Sequence, residues 1–187
     1  MANLLTNKNY NFNIYISNLT STIMKKSKKE LKKLSQNIKL VLTDVDGVLT
    51  DGGMYYSDKG EAMKKFNTRD SMGMDLLKEI KIPTIMITRE NSEIVKQRAK
   101  KIKIKLFSGV LNKNLLLPKI CKKFNVHPSE IAYIGDDVND YEIMSNIGFS
   151  AAPNDAVEKI CTLVDYVCKL NGGHGAFREF AEIIILK

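Results

Sequence analysis

From residue 38 onward, short apolar runs alternate with segments of helical period, and this alternation constrains the fold more than any other feature. The runs suit buried strands, and Asp or Asn at several of the segment starts suits helix N-caps. Strand–helix alternation predicts an α/β fold, with a parallel sheet covered by helices on both faces. The predicted strands are residues 38–43, 83–88, 104–107, 131–136, 148–152 and 165–168. The predicted helical segments begin near Asp70, Asn91, Asn112, Val138 and Asn154, and a last amphipathic helix spans 177–186.

One segment, GGMYYSDKGEAMKKF at residues 52–66, interrupts this alternation directly after the first strand. Two short strand-like pieces flank residues 57–60, where Gly60 is available for a positive φ, and this pattern predicts a β-hairpin. Pro118 predicts a kink or a late start in the helical segment after Asn112. We see no insertion large enough for a second domain, so the expected organisation is an extension over 1–36 and one domain over 37–187.

The formal net charge of +8 is concentrated near the amino terminus. Residues 1–39 hold eight lysines and a single acid, Glu30, which gives +7 and leaves +1 for the rest of the chain. We interpret residues 24–36 as a solvated helix face with Leu31 and Leu34 as its apolar contacts. The alternative is an arm that tethers the protein to anionic lipid or RNA. No aromatic residues interleave with the lysines, so nucleic-acid binding is not predicted.

Other compositional features narrow the class of protein. Residues 1–22 are rich in asparagine and are expected to be loosely ordered. No apolar run is long enough to cross a bilayer and no secretory signal is present, so membrane insertion is not expected. Three cysteines without CxxC spacing argue against a disulfide framework and a structural zinc site. A cytoplasmic location follows as the simplest expectation.

Polar residues follow several of the predicted strands at the point where each ends. In an open parallel sheet, ligands bind beyond the carboxyl ends of the strands, so these side chains are expected to meet. The set consists of Asp44, Asp46 and Gly47 after the first strand, Thr88 at the end of the second, Lys113 after the third, and Asp136, Asp137 and Asp140 after the fourth.

The chemistry of this set indicates a phosphoryl-transfer site. Asp44, Asp46 and Asp136 can share a divalent cation, and all-oxygen ligation suits Mg²⁺, which also binds phosphate. A carboxylate beside Mg²⁺ and a phosphoryl group can act as a nucleophile and form an aspartyl phosphate. Thr88 and Lys113 would then stabilise negative charge on the phosphoryl oxygens.

The pattern resembles the haloacid dehalogenase superfamily, with DVDGVLTDG at 44–52, Thr88, Lys113 and GDDVND at 135–140 as its four motifs. The resemblance implies a Rossmann-like fold in which Asp44 is the nucleophile. Asp46 would protonate the leaving alkoxide, activate water and lend a backbone carbonyl to the metal, and Asp136 would complete the metal site. Asp137 and Asp140 would orient Lys113 and the metal waters. Gly47 would let the backbone approach the phosphate.

Residues 36–187 further resemble the capless branch around 3-deoxy-D-manno-octulosonate 8-phosphate phosphatase, through DVDGVLTDGGMYY, FNTRD, GDDVNDYEIM and GGHGAFREF. That branch has no cap domain and forms homotetramers, in which the hairpin packs against a neighbouring subunit. Two departures concern substrate contacts. Thr88-Arg89-Glu90 stands where Thr-Gly-Arg is usual, and His174 replaces an arginine of the C-terminal motif. The implied substrate-binding residues are Gly47, Arg69, Arg89, Glu90, His174 and Arg178.

The predicted function is Mg²⁺-dependent hydrolysis of a small phosphorylated sugar acid, with octulosonate 8-phosphate as the first choice. Glu90 makes the segment 88–99 similar to enzymes that act on nonulosonate (sialic-acid-type) 9-phosphates, and these remain the alternative substrates. The product would enter surface-glycan biosynthesis. A third hypothesis, from another class, is a non-catalytic assembly module of the same fold.

Overall fold

The computed structural model describes residues 26–186, and within them six parallel strands form one sheet. The strands are β1 (Leu40–Thr43), β4 (Thr84–Ile87), β5 (Lys105–Phe107), β6 (Ile131–Ile134), β7 (Phe149–Ala152) and β8 (Tyr166–Val167). They lie in the sheet in the order β5-β4-β1-β6-β7-β8. The expected parallel α/β architecture is therefore confirmed, and each strand is shorter than the apolar run that predicted it.

The expected hairpin is present as β2 (Tyr55–Ser57) and β3 (Gly60–Met63), paired antiparallel. Gly60 has φ +105°, as the turn requires. The bridge between Thr50 and Phe66 closes the base of the hairpin. Among the described residues this hairpin is what separates β1 from the first helix of the sheet, and no cap domain is present there.

Seven α-helices occur in the described part of the chain, most of them between the strands. They are α1 (Lys28–Ser35), α2 (Thr68–Glu79), α3 (Glu93–Lys101), α4 (Leu117–Phe124), α5 (Tyr141–Met144), α6 (Glu158–Leu163) and α7 (Ala176–Ile185). Short 3₁₀ turns at Asn114–Leu116 and Val138–Asp140 precede α4 and α5. The late start predicted from Pro118 is confirmed, since Pro118 lies in the first turn of α4.

The start of α2 differs from the sequence expectation. Asn67 is the N-cap, and its side-chain oxygen accepts a hydrogen bond from the Arg69 backbone N–H at 2.9 Å. Asp70 instead lies inside the first turn of the helix and is buried. An Asp at such a position still favours a helix start, because its charge interacts with the positive end of the helix dipole.

Alternating residues of each central strand divide the core into two layers. In β1, Val41 belongs to one face with Phe177 and Phe180 of α7, whereas Leu42 belongs to the other with Leu117 and Ile120 of α4. Burying such a side chain contributes about 1.5–3 kcal/mol. Both faces are therefore covered, and the ligand-binding surface is left to the sheet edge where the strands end.

The basic helix α1 packs its apolar residues onto the first of these layers. Leu31 is buried, and Leu34 packs against the same cluster, as predicted. Its lysines lie on the exposed face, and Lys26 pairs with Asp165 at 3.2 Å. The loosely ordered segment predicted at 1–22 lies outside the described residues, and the boundary at 36/37 stays a prediction. In the described range, no helix is long and apolar enough to span a membrane.

Candidate active site

The candidate site lies beyond the carboxyl ends of β1, β4 and β6, the three central strands. β4 and β6 flank β1. The connection after β1 leads to β4 and the connection after β6 leads to β7, towards opposite edges of the sheet, so the loops diverge and open a crevice there. Asp44 follows β1 directly, Thr88 follows β4, and Asp136 lies two residues after β6. The expected convergence of these side chains on one edge is found.

Asp44, Lys113 and Asp140 form a buried charged triad at the floor of this crevice. The Lys113 ammonium lies 2.8 Å from Asp44 Oδ2 and 2.6 Å from Asp140 Oδ1. Lys113 and Asp140 are 1% and 0% exposed, so water screens their interaction very little. Tyr133 on β6 donates its hydroxyl to Asp140 Oδ1 at 2.6 Å and holds that carboxylate in place.

Burial and charge shift the proton equilibria of the triad. Burial, together with the nearby carboxylates of Asp140 and Asp136, raises the pKa of Asp44 well above its ordinary value, against the opposing effect of Lys113. Burial alone would lower the pKa of Lys113, but the two carboxylates outweigh it and raise that pKa. Extra positive charge near Asp44 would therefore favour its ionised, nucleophilic form.

The carboxylates at the mouth of the triad could bind a divalent cation. Single oxygens of Asp44, Asp136 and Asp140 lie within 4.8 Å of one another. Asp136 Oδ1 is buried and has no hydrogen-bond partner among the described residues. Burial and the Asp140 charge raise the pKa of Asp136 to about 7, as expected for carboxylates that crowd together without a cation. Carboxylate oxygens are the ligands that Mg²⁺ prefers.

Gly47 is required by the close packing around this cluster. Its φ is +82°, and a Cβ at this position would overlap the Asp136 carboxylate. Any other residue would therefore both strain the backbone and displace a predicted metal ligand. The sequence expectation that Gly47 permits a close backbone approach agrees with this geometry.

The Asp46 side chain points away from the carboxylates of Asp44, Asp136 and Asp140 and is held by residues of two other elements. Its Oδ2 accepts a hydrogen bond from Thr88 Oγ1 at 3.3 Å, and its Oδ1 lies 2.7 Å from the Lys64 ammonium. Its side chain is therefore free of the cluster, which leaves only its backbone carbonyl for the metal role predicted from the resemblance. Lys64 is not among the site residues predicted from the sequence, where it is only one of two adjacent lysines at the end of the predicted hairpin.

The acidic cleft, as we call this site, encloses about 310 Å³. Arg89 and Glu90 line it, both exposed, and the Glu90 backbone N–H donates to Thr88 Oγ1 at 3.1 Å. Asp137 also lines it, but its carboxylate caps the following 3₁₀ turn through Val138 N–H at 2.6 Å and is not paired with Lys113. Asn139, a second residue not predicted from the sequence, lines the cleft, and its buried Oδ1 has no hydrogen-bond partner in the described part of the chain.

Two residues predicted to bind substrate lie in a different pocket. Arg69 and Arg178 line a cavity of about 570 Å³ at the start of α7, which we call the arginine pocket. Arg178 pairs with Glu182 at 2.7 Å, and its backbone N–H donates to Asp70. Within one chain, the predicted substrate-binding set is thus divided between two pockets.

His174 lies between the two regions on an exposed loop. Its Nδ1 is 2.7 Å from the Gly172 carbonyl, and its Nε2 is 3.3 Å from the Lys65 ammonium of the hairpin base. Gly172 packs directly on the Gly47 carbonyl. The C-terminal glycine loop therefore touches the loop that carries Asp46 and Gly47.

Comparison with known proteins agrees with this geometry. A family model described as haloacid dehalogenase-like hydrolase matches residues 5–180. The chain belongs to the haloacid dehalogenase-like hydrolases. It is 40% identical over 151 residues, covering 80% of this chain and 84% of the relative, to a Haemophilus influenzae protein named 3-deoxy-D-manno-octulosonate 8-phosphate phosphatase.

Solved structures of hydrolases from this family share its fold. The Moraxella catarrhalis 3-deoxy-D-manno-octulosonate 8-phosphate phosphatase, in complex with magnesium, phosphate and KDO, matches with TM-score 0.81 and 34% identity, covering 84% of this chain and 91% of that one. The cobalt-bound Haemophilus influenzae phosphatase matches with TM-score 0.79 and 39% identity, covering 82% and 90%. The expected hydrolase fold is confirmed.

Proposed function

We propose that this hydrolase removes phosphate from a sugar-acid monoester, with 3-deoxy-D-manno-octulosonate 8-phosphate (KDO 8-phosphate) as its substrate. The observation that carries the proposal is the buried Asp44–Lys113–Asp140 triad opening onto Asp136, Gly47 and Thr88. The names of the relatives that match over most of the chain support the choice of substrate.

Asp44 acts as the nucleophile in the proposed reaction. It attacks the phosphorus atom, the bond between phosphorus and the sugar oxygen breaks, and an aspartyl phosphate forms. Lys113 uses two of its three N–H donors on Asp44 and Asp140, which leaves one for a phosphoryl oxygen. On substrate binding the single Thr88 O–H donor would turn from Asp46 Oδ2 to a second phosphoryl oxygen, so Lys113 and Thr88 together stabilise the negative charge that develops there.

Asp46 moves the protons in both half-reactions. It donates a proton to the leaving sugar alkoxide, then takes one from the water that hydrolyses the aspartyl phosphate, which restores Asp44. Mg²⁺, held by Asp44, Asp136 and the Asp46 backbone carbonyl, would neutralise charge on the phosphoryl group. Asp140 orients Lys113.

Glu90 favours a second candidate substrate, a nonulosonate 9-phosphate. It lines the acidic cleft on the exposed side, where the sugar of a bound monoester would extend. Side-by-side assays of KDO 8-phosphate and N-acylneuraminate 9-phosphate with Mg²⁺ separate the two. We expect KDO 8-phosphate to give the higher kcat/KM and chelation of the metal to abolish turnover.

Equal rates on the two sugar acids would contradict specificity for either. If wild-type protein hydrolyses no phosphomonoester with Mg²⁺, the alternative of a non-catalytic module of this fold replaces the enzyme hypothesis.

We also propose that the enzyme is a cytoplasmic homotetramer and that the product of its reaction enters surface-glycan biosynthesis. The exposed Met54, Tyr55, Tyr56 and Met63 on the hairpin support burial of this element against another subunit. Sedimentation at several protein concentrations tests the assembly.

A further inference from the structure

Lys64, at the end of the hairpin, places a buried cation beside the proposed acid–base residue. Its ammonium lies 2.7 Å from Asp46 Oδ1 and 2.9 Å from Glu61 Oε1. The Lys64 side chain is 1% exposed, although the hairpin that carries it is among the most exposed parts of the described chain. This lysine therefore reaches inward, whereas its strand neighbour Met63 faces solvent.

Glu61 extends the contact from the hairpin to α3. It accepts a hydrogen bond from the hydroxyl of Ser92, the N-cap residue of α3, and also accepts from Lys64. Together with Thr88, which bonds the other oxygen of Asp46, these residues fix both carboxylate oxygens of Asp46. The orientation of the Asp46 side chain is thus set by the loop between β4 and α3 and by the hairpin.

We propose that Lys64 is a positioning residue that holds the Asp46 carboxylate in the orientation needed to protonate the leaving group. This inference rests on the proposed function, because it assigns Asp46 the proton-transfer role. Proton transfer requires the carboxyl oxygen within hydrogen-bond reach of the leaving oxygen, so a small rotation of the side chain costs rate. Lys64 makes the hairpin part of the catalytic apparatus without touching substrate.

A contribution to folding stability does not by itself explain why a buried lysine lies between Asp46 and Glu61. Removing an ammonium and carboxylates from water costs free energy that their attraction repays only in part, so buried ion pairs contribute little net stability. A Met or Leu at position 64 would cover the same surface of the hairpin base at less cost. What such a residue lacks is a donor aimed at Asp46.

The test compares Lys64→Met, Lys64→Arg and the control Lys59→Met, which removes an exposed lysine from the turn of the same hairpin. Each is assayed on an alkyl sugar phosphate, whose leaving alkoxide needs a proton, and on p-nitrophenyl phosphate, whose leaving phenolate does not. We expect Lys64→Met to lower kcat/KM for the alkyl ester about 10- to 100-fold. For the aryl ester, we expect kcat/KM of Lys64→Met to match wild type, because it reports only the steps up to release of the phenolate.

Lys64→Arg keeps a cation and should retain part of the activity on the alkyl ester. This variant also tests the inference if Lys64→Met fails to fold. In an Asp46→Asn background, Lys64→Met should cause no further loss on the alkyl ester, because its effect acts through Asp46. Four results would each overturn the inference. They are equal losses of kcat/KM on both esters, a full additional loss in the Asp46→Asn background, faster turnover of the alkyl ester, and the same result for Lys64→Met as for Lys59→Met. Absence of Mg²⁺-dependent hydrolysis of either ester by wild type would instead overturn the proposed function, and the inference with it.

Discussion

The acidic cleft and the arginine pocket hold their polar groups in opposite ways. In the cleft, Lys113 and Asp140 are buried and each makes more than one charged or hydrogen-bonded contact. In the arginine pocket, Arg69 is exposed and the guanidinium of Arg178 pairs with the half-exposed Glu182. A surface pair of this kind contributes little to stability.

We interpret this difference as a division between residues that carry out phosphoryl transfer and residues that select the substrate. Phosphoryl transfer needs groups that are already oriented when the substrate arrives, and burial in the sheet edge provides that order. Arginine side chains at the surface of helices, such as the exposed Arg69 and the partly exposed Arg178, lie outside the core and suit recognition of a variable sugar acid. Substitutions in the buried triad should therefore affect every phosphate ester alike, whereas substitutions in the arginine pocket should depend on the substrate.

The largest effect is expected from Asp44→Asn, which removes the proposed nucleophile. We expect activity on any phosphomonoester to fall on the order of 10⁴-fold or more. Asn keeps an oxygen for the Val45 backbone N–H, so the circular dichroism spectrum should be unchanged. Asp58→Asn, in the exposed hairpin turn, is the control. Activity within tenfold of wild type would remove Asp44 from the mechanism.

Lys113→Met should cost both activity and stability. It leaves Asp44 and Asp140 buried without their cation, which destabilises a protein by about 3–5 kcal/mol. Urea unfolding measures this, and phosphate release with both esters should fall together. Lys119→Met, on the exposed face of α4, should leave both quantities near wild type. An unchanged urea midpoint for Lys113→Met would contradict the buried triad.

Arg69→Gln tests the arginine pocket. If Arg69 binds the carboxylate of a sugar acid, its loss should remove a charged hydrogen bond and lower kcat/KM for KDO 8-phosphate roughly 10- to 100-fold. Turnover of p-nitrophenyl phosphate should not change. Lys78→Gln, exposed on the same helix, is the matched control. Losing both activities equally would place Arg69 in general catalysis or folding instead.

The smallest effect concerns the buried Asp70 beneath the arginine pocket. Burial raises its pKa to about 6 from 3.8, although the Arg178 backbone N–H, Arg98 and His174 oppose the shift. Because the folded state holds this proton more tightly, the contribution of Asp70 to stability falls as pH rises from about 4 to about 6, by roughly 3 kcal/mol.

Asp70→Asn should therefore remove a pH-dependent loss of stability over that interval. Urea midpoints of wild type and variant, measured between pH 4 and 7, give the difference curve. Asp75→Asn, exposed on the same helix, should follow the wild-type curve. If the Asp70→Asn and wild-type curves run parallel across the interval, Asp70 does not titrate there.

The sequence was sufficient to predict the parallel sheet and the positions of the acidic residues that follow its strands. Parallel strands bring their carboxyl ends to one edge, so the meeting of Asp44, Thr88 and Asp136 follows from strand order alone. Lys64 could not be placed in this way. Its contact with Asp46 depends on how the hairpin folds back over β1, and no periodicity in the sequence encodes that path.

The arginines illustrate a second limit. Arg69 and Arg178 were grouped with Gly47, Arg89 and Glu90 on a resemblance between motifs, which says nothing about distance within one chain. Their pocket lies where α2 packs against α7, and Asp70 on α2 accepts a hydrogen bond from the Arg178 backbone N–H in the first turn of α7. A buried polar contact between two helices cannot be read from either helix alone.

The glycine loop before α7 has a consequence for protein engineering. A Cβ on Gly172 or Gly173 would collide with backbone atoms of the segment 47–51, and the Gly173 N–H donates to the Val48 carbonyl at 2.9 Å. The glycine loop at residues 171–175 thus supports the loop that follows the proposed nucleophile, Asp44. Larger residues at positions 172 or 173 should therefore displace the loop that carries Asp46 and Gly47, while α7 keeps its place in the core.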